Sequence, residues 1–346
     1  MDIKEYGWDE HFENEWRKNS NDCLFPGRII ADYGQKLRVV SELGELTVNR
    51  PLNKHGNFVQ PAVGDWVALE DSAENQLVRM RFVLPRKSKF SRLAAGIEVK
   101  EQVVAANVDT VFLIQSLNRD FNLRRLERYL VSAWESGALP VVVLSKSDLS
   151  DNVADKIAAV YSTAPGVEVH AISCVTGEGI EGLKKYFTKG KTVALLGSSG
   201  VGKSTLVNTL AGKEIFKTQA IRESDSRGRH TTTHREIHLL PEGGMILDTP
   251  GMRELSLWEA DTGMEVMFGD IEELTMKCRF NDCRHRSEPG CAVKEALKTG
   301  ELDIKRWENW VKLKKEQEYL EGRNDVKYLL QQKKRGKQLA KFQKNL

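Results

Sequence analysis

The run Thr192-Val193-Ala194-Leu195-Leu196 leads straight into Gly197-Ser198-Ser199-Gly200-Val201-Gly202-Lys203-Ser204. An apolar strand, a glycine-rich loop and a helix beginning near Lys203 give the phosphate-loop pattern G-x-x-x-x-G-K-[ST] in the context it requires. No other feature constrains the fold as much. A loop of this kind works only at the carboxyl end of a strand in a parallel sheet, with its backbone N–H groups and the helix N-terminus turned toward the phosphates.

The loop sets the roles expected of its neighbours. Lys203 is expected to reach the β- and γ-phosphates, and Ser204 to ligate Mg2+, with Thr205 completing the phosphate-side set. Asp248-Thr249-Pro250-Gly251 begins 44 residues after Ser204, at the end of the apolar run Met245-Ile246-Leu247. That position suits Asp248 to hold Mg2+ through water and the Gly251 amide to contact the γ-phosphate. Between the two motifs, residues 222–235 are polar and contain Gly228 and three consecutive threonines. This is where a switch segment belongs, with Thr231 or Thr232 completing the Mg2+ shell; the competing reading is an ordinary exposed loop.

Ser145-Lys146-Ser147-Asp148 follows the buried run Val141-Val142-Val143-Leu144. A carboxylate at the end of such a strand can accept both N1–H and N2–H2 of guanine, a pair adenine does not offer. Lys146 would lay its stem along the base. The common motif is Asn-Lys-x-Asp, so Ser145 costs the loop an amide. Ile172-Ser173-Cys174 ends the next strand and places Ser173 and Cys174 near the guanine oxygen, the Cys174 side chain being small and half-buried. In the usual guanine-nucleotide switch this base loop comes after the phosphate loop. Here it comes before, so one pocket is expected from a rotated chain order.

The chain of 346 residues divides into three parts. Residues 1–105 carry short alternating runs (27–33, 36–40, 45–48 and 65–69) separated by glycines, which predicts a small β-barrel or sandwich. Ahead of it, Trp8, Phe12 and Trp16 fall on one face of a docking helix. Residues 106–258 alternate strand and helix as a doubly wound α/β sheet. Residues 259–346 are mainly helical and end in the basic run Lys333-Lys334-Arg335-Gly336-Lys337. No run of about 18 apolar residues occurs, which argues against a membrane-spanning helix, and residues 1–21 do not read as a secretory signal. The net charge is only +3, so nucleic-acid contact must come from local patches. One is the acid-free run from Arg79 to Arg92, with Arg79, Arg81, Arg86, Lys87, Lys89 and Arg92 interleaved with Phe82 and Phe90. On a barrel loop it would neutralise RNA phosphates and stack bases.

Three of the five cysteines lie between Cys278 and Cys291. Cys278, Cys283, His285 and Cys291 make a Cys3His set, which holds structural zinc tetrahedrally. An odd cysteine count with one tight cluster points to metal ligation in a reducing compartment, hence the cytoplasm.

With base loop, phosphate loop, Asp-Thr-Pro-Gly and Cys-x4-Cys-x-His-x5-Cys in that order, the chain resembles the bacterial ribosome small-subunit-dependent GTPase A family over nearly its whole length. The resemblance also rests on Gly228-Arg229-His230-Thr231-Thr232-Thr233 and on Gly251-Met252-Arg253-Glu254. It implies an OB-fold barrel, a circularly permuted GTPase domain and a zinc-binding helical domain. It further implies GTP hydrolysis to GDP, stimulated by the 30S subunit late in that particle's maturation; the 16S rRNA is the expected partner there, and a monomer is expected off the ribosome. Many GTPases place a water-orienting Gln directly after the Asp-x-x-Gly glycine. Met252 stands there in this chain, so unaided hydrolysis should be slow, and the resemblance favours His230 as the catalytic group. The competing reading is a nucleotide-gated rRNA-binding checkpoint module in which hydrolysis is incidental.

Overall fold

The computed structural model describes residues 1–51, 59–72, 77–93, 101–118, 120–216, 235–248, 260–320 and 322. Strands β1 (Leu24–Asp32), β2 (Lys36–Ser41), β3 (Gly44–Asn49), β4 (Trp66–Ser72) and β5 (Leu77–Val83) form the first unit. β1 pairs antiparallel with both β2 and β4, β2 with β3, and β4 with β5. β3 lies alongside β5, which closes the circuit into an OB-type barrel around Ile29, Leu37, Val39, Val67 and Leu69.

The leader docks on this barrel. A 3-10 turn (Ile3–Tyr6) precedes α1 (Glu10–Asn19), whose N-cap Asp9 accepts from the His11 and Phe12 amides. Trp8 thus lies before the helix, so the aromatic stripe straddles a helix start and is not one continuous helical face. It converges all the same: the rings of Trp8 and Phe12 lie 4.8 and 5.8 Å from fully buried Trp66.

A hairpin of β6 (Lys89–Leu93) and β7 (Glu101–Ala106) leads into the second unit. There β8 (Thr110–Ser116), α2 (Leu123–Ser136), β9 (Leu139–Ser145), α3 (Val153–Thr163), β10 (Glu168–Ile172), β11 (Thr192–Gly197), α4 (Lys203–Ala211), β12 (Arg235–Leu239) and β13 (Met245–Asp248) follow in turn. The strand order is β10-β9-β8-β11-β13-β12, continuing through β1 into the barrel. From β10 to β13 every pairing is parallel; β8, β9, β11 and β13 are near-continuous apolar runs buried on both faces, as parallel strands are, while the edge strand β10 is mostly half-buried. From β8 the chain steps outward to β9 and β10, then returns to the other side of β8 with β11. That reversal is a topological switch point, where sheets of this kind bind ligands at their carboxyl ends.

β12 is antiparallel to β13 and pairs with β1 at Ala31↔Glu236 and Asp32↔Arg235. Arg38–Glu236 and Arg235–Asp32 ion pairs flank this seam between barrel and sheet. The third unit comprises α5 (Asp261–Met276), α6 (Ala292–Thr299) and α7 (304–320). It packs on α2: the Gly263 amide donates to Glu135, Arg128 grips Glu316 with two bonds of 2.6 Å, and Arg306 approaches buried Glu127. No described helix is long and apolar enough to cross a membrane.

The run from Arg79 to Arg92 is not one barrel loop. Arg79 and Arg81 lie on β5, and Lys89 and Arg92 on β6. The alternation of Met80 and Phe82 with the two arginines is strand periodicity, with basic side chains outward.

Candidate functional site

β11 and β9 are second neighbours in the sheet, separated by β8, so their carboxyl ends stand about 10 Å apart. The phosphate loop leaves β11 and the base loop leaves β9, and the two are bonded directly to each other. Ser145 Oγ donates to the Val201 carbonyl at 2.6 Å, and Lys146 Nζ to the Gly200 carbonyl at 2.9 Å. Stretches more than 50 residues apart in sequence thus share one site, with the base loop earlier in the chain.

The glycines follow from local geometry. Gly197 pairs with Ile114, and a Cβ there would stand 2.4 Å from the Ile114 carbonyl oxygen. Gly202 caps α4 with φ +97°, a left-handed conformation disfavoured for side-chain-bearing residues. Lys203 Nζ donates to the Gly197 and Ser198 carbonyls at 2.8 and 2.6 Å. Ser199, Gly200, Ser204 and Thr205 are exposed at the mouth, while Val201 is buried beneath them. Asp248 ends β13, whose parallel pairing to β11 brings it to the same end of the sheet. His230, Thr231, Thr232, Gly251 and Met252 lie outside the described residues.

On the base side, Lys146 takes a left-handed turn (φ 59°) and Ser147–Leu149 form one 3-10 turn. Asp148 is exposed, with its carboxylate open to a ligand, whereas Ser147 is buried and its Oγ has no hydrogen-bond partner among the described residues. Ile172 pairs with Ser145, so Ser173 and Cys174 emerge beside the base loop. Ser173 is fully buried and its Oγ accepts from the Val175 and Thr176 amides, both at 3.2 Å, fixing the turn. Burial pushes the half-buried Cys174 thiol up, so it stays protonated near neutral pH and packs as a small apolar group.

The Ser145 hydroxyl also changes the meaning of the missing Asn. Its hydrogen bond to Val201 ties the base loop to the phosphate loop, a contact the sequence alone does not reveal because it needs the two strand ends side by side. Ser145→Ala removes that tie and leaves the Val201 carbonyl without it. GDP affinity is expected to fall about tenfold; a dissociation constant within twofold of the parent's in a calorimetric titration would contradict this.

Cys278, Cys283, His285 and Cys291 converge with all donor atoms within 4.8 Å of one another. Cys278 Sγ lies 3.9 Å from Cys291 Sγ, and His285 Nδ1 lies 3.6 and 3.5 Å from those two sulfurs. A tetrahedral zinc with ordinary bond lengths has S···S edges of about 3.8 Å and S···N edges of about 3.6 Å. These three edges match such an ion, and with Cys283 the four protein donors would fill its coordination. His285 sits at φ 59° to present Nδ1, and its ring stands edge-on to Trp307 at 5.3 Å.

The basic residues of the 79–92 run have partners from elsewhere in the chain. Arg81 pairs with Glu70, Lys87 with Asp9, and Lys89 with Glu101; Arg92 donates to Gln102. Arg86 makes two bonds of 2.7 Å to fully buried Asp65, a structural ion pair. Arg79 is exposed and forms no ion pair among the described residues.

The family model for the RsgA GTPase matches residues 83–258. Over 99% of its length the chain is 43% identical to "Small ribosomal subunit biogenesis GTPase RsgA 1" of Listeria innocua, covering 96% of that protein. The chain belongs to the RsgA GTPase family. A second relative, "Small ribosomal subunit biogenesis GTPase RsgA 2" of Vibrio parahaemolyticus, is 42% identical over 99% of this chain and 92% of its own. Among solved structures, YjeQ from Thermotoga maritima is similar at a TM-score of 0.60 and 28% identity, over 84% of this chain and 97% of that one. YloQ, described as a circularly permuted GTPase, shares the fold at a TM-score of 0.56 and 23% identity, over 89% of this chain and 98% of its own. Membership fixes the enzyme class as a GTP hydrolase, and the permuted motif order matches the convergence of the two loops.

Proposed function

We infer that this protein binds the small ribosomal subunit and hydrolyses GTP to GDP and phosphate during that particle's biogenesis. The observation that carries the reading is the direct bonding of the base loop to the phosphate loop, Ser145 to Val201 and Lys146 to Gly200. The small-subunit assignment is supported by the printed names of full-length relatives above 40% identity.

In this reading Asp148 accepts from the guanine edge and Lys146 lies along the base. The Gly197–Gly202 amides surround the phosphates, and Lys203 leaves the two loop carbonyls for the β- and γ-phosphates. Mg2+ bound with GTP neutralises charge there, held by Ser204, by Asp248 through water and by Thr231 or Thr232. The Cys3His set holds one structural zinc. His230 is the catalytic candidate, since Met252 can neither orient nor deprotonate a water. The exposed residues Arg79, Arg81, Lys87 and Lys89, with half-buried Arg92 beside them, offer a phosphate-contacting surface for 16S rRNA once Glu70, Asp9 and Glu101 exchange partners. Arg86 is better explained by Asp65. The protein would act in the cytoplasm, where ribosomal subunits mature.

Turnover is the test. With Met252 in the water-orienting position, GTP hydrolysis by the protein alone should be slow, and purified 30S subunits should raise it at least about a hundredfold. Equal rates with and without 30S, or equal stimulation by 50S subunits, would reject the small-subunit reading.

A further inference from the structure

At the amino-terminal ends of β8 and β11, away from the nucleotide loops, the leader, the barrel and the GTPase sheet enclose a cavity of about 350 Å³. Arg28 lines its floor and is 1% exposed. Its guanidinium donates to the carbonyls of Tyr6, Gly64 and Asn107, to Thr192 Oγ1 at 2.9 Å and to Met245 Sδ at 3.6 Å. None of these acceptors carries a charge. The nearest carboxylates, Asp109, Asp65 and Asp9, are each engaged by another cation: Lys191, Arg86 and Lys87 respectively. Burial consequently drives the Arg28 pKa down to about 10 despite these acids.

The walls add net positive charge. Lys4, Lys87, Lys189 and Lys191 line the cavity against the carboxylates of Asp9 and Asp109. Lys189 faces Asp2 and Glu5, while Lys4 forms no ion pair among the described residues. Two cations, Arg28 and Lys4, therefore border one cavity without a carboxylate of their own. A buried charge lacking a counter-ion is strongly unfavourable, and the arrangement is relieved when an anion supplies it.

We propose that this cavity binds a small phosphate-bearing anion, with Lys4 and Lys191 contacting the phosphate and Arg28 supplying the positive field beneath it. A phosphate dianion would offset the excess of cations over the carboxylates of Asp9 and Asp109 in this lining, and lysine ammonium groups serve phosphate as point charges. The volume is at the lower end for ligand pockets and suits a phosphomonoester with a body of a few carbons. The site is distinct from the GTP pocket. The six residues of β11, spanning about 20 Å, separate Lys191 from the phosphate loop. The leader contributes Lys4, Trp8 and Asp9, so a bound anion would join leader, barrel and sheet.

The test uses the full chain saturated with GDP, so that the phosphate loop is occupied. Inorganic phosphate and glycerol 3-phosphate are titrated in calorimetry against sodium chloride at matched ionic strength. One saturable phosphate site is expected, and Lys4→Glu, on an exposed side chain, should weaken it about tenfold or more while leaving GDP affinity unchanged. Heat reproduced by chloride alone, or phosphate affinity unaltered in Lys4→Glu, would overturn the proposal. A short single-stranded RNA that saturates the same lysine-dependent site where both small phosphates fail would also overturn it, assigning the cavity to a polynucleotide.

Discussion

Lys203→Ala is expected to lower kcat for GTP by about 10²–10³-fold, the scale of removing a positioned charge from a developing oxyanion. The protein should keep its circular dichroism spectrum and melting behaviour. The Lys203 ammonium donates to two neutral carbonyls of its own loop, Gly197 at 2.8 Å and Ser198 at 2.6 Å. A bond from the ammonium to a carbonyl is charged on one side only, whereas a bond to a phosphate oxygen pairs opposite charges. The exchange of carbonyls for phosphate oxygens is therefore downhill, and the carbonyls serve as a resting position that holds the side chain over the mouth. Losing them should cost the fold little, because the loop stays anchored from below by buried Val201 and from the side by Ser145. Single-turnover kinetics with 30S subunits would measure the effect. A rate within threefold of the parent would remove Lys203 from the chemistry.

Much of this site was legible in the sequence because its signals are local. The strand from Thr192, the glycine loop and the helix at Lys203 are contiguous, and the structure places each within a residue of its expected bounds. The apolar run Val141–Leu144 is likewise self-contained and lies inside β9. What the sequence hid depends on distance. The acid-free run from Arg79 to Arg92 looked like a free basic surface, yet Asp65, Asp9, Glu70 and Glu101 arrive from other strands and the leader to engage it. Arg28 reads as an ordinary polar residue in an alternating strand. Its burial appears only once Tyr6, Gly64, Asn107 and Thr192 close around it. Only Arg235 of β12 falls within the polar 222–235 stretch; the strand carries two charges and a histidine in five residues, and its strand character comes from pairing with β1 and β13. Ser145 looked like a loss beside the common Asn, and the bond to Val201 shows what the shorter side chain retains.

Elemental analysis is expected to find one zinc per chain, and Cys278→Ser to abolish it and collapse the segment between α5 and α6. The apparent free energy of a structural zinc site is about 10–16 kcal/mol, comparable to or greater than the whole stability of an ordinary domain at about 5–15 kcal/mol. Little else could replace it. The residues around the ligands include Arg279, Asp282, Arg284 and Arg286, and the loop's main internal tie is the Glu288 carboxylate accepting from the backbone amides of Arg284, Arg286 and Ser287. Without metal, three sulfurs and an imidazole would be left crowded within 4.8 Å of one another with no ion to join them. The damage should stop at α7. That helix is held to α2 by Arg128–Glu316 and by Arg306 and Asn309 against Glu127, none of which involves the cluster. Trp307 provides the readout, because its ring packs on His285. Chelation should shift its fluorescence to the red while GDP affinity stays within about threefold. Red-shifted emission with nucleotide binding lost would mean that the metal lobe supports the GTPase sheet itself. A metal-free protein with the parent's emission and stability would refute the zinc assignment.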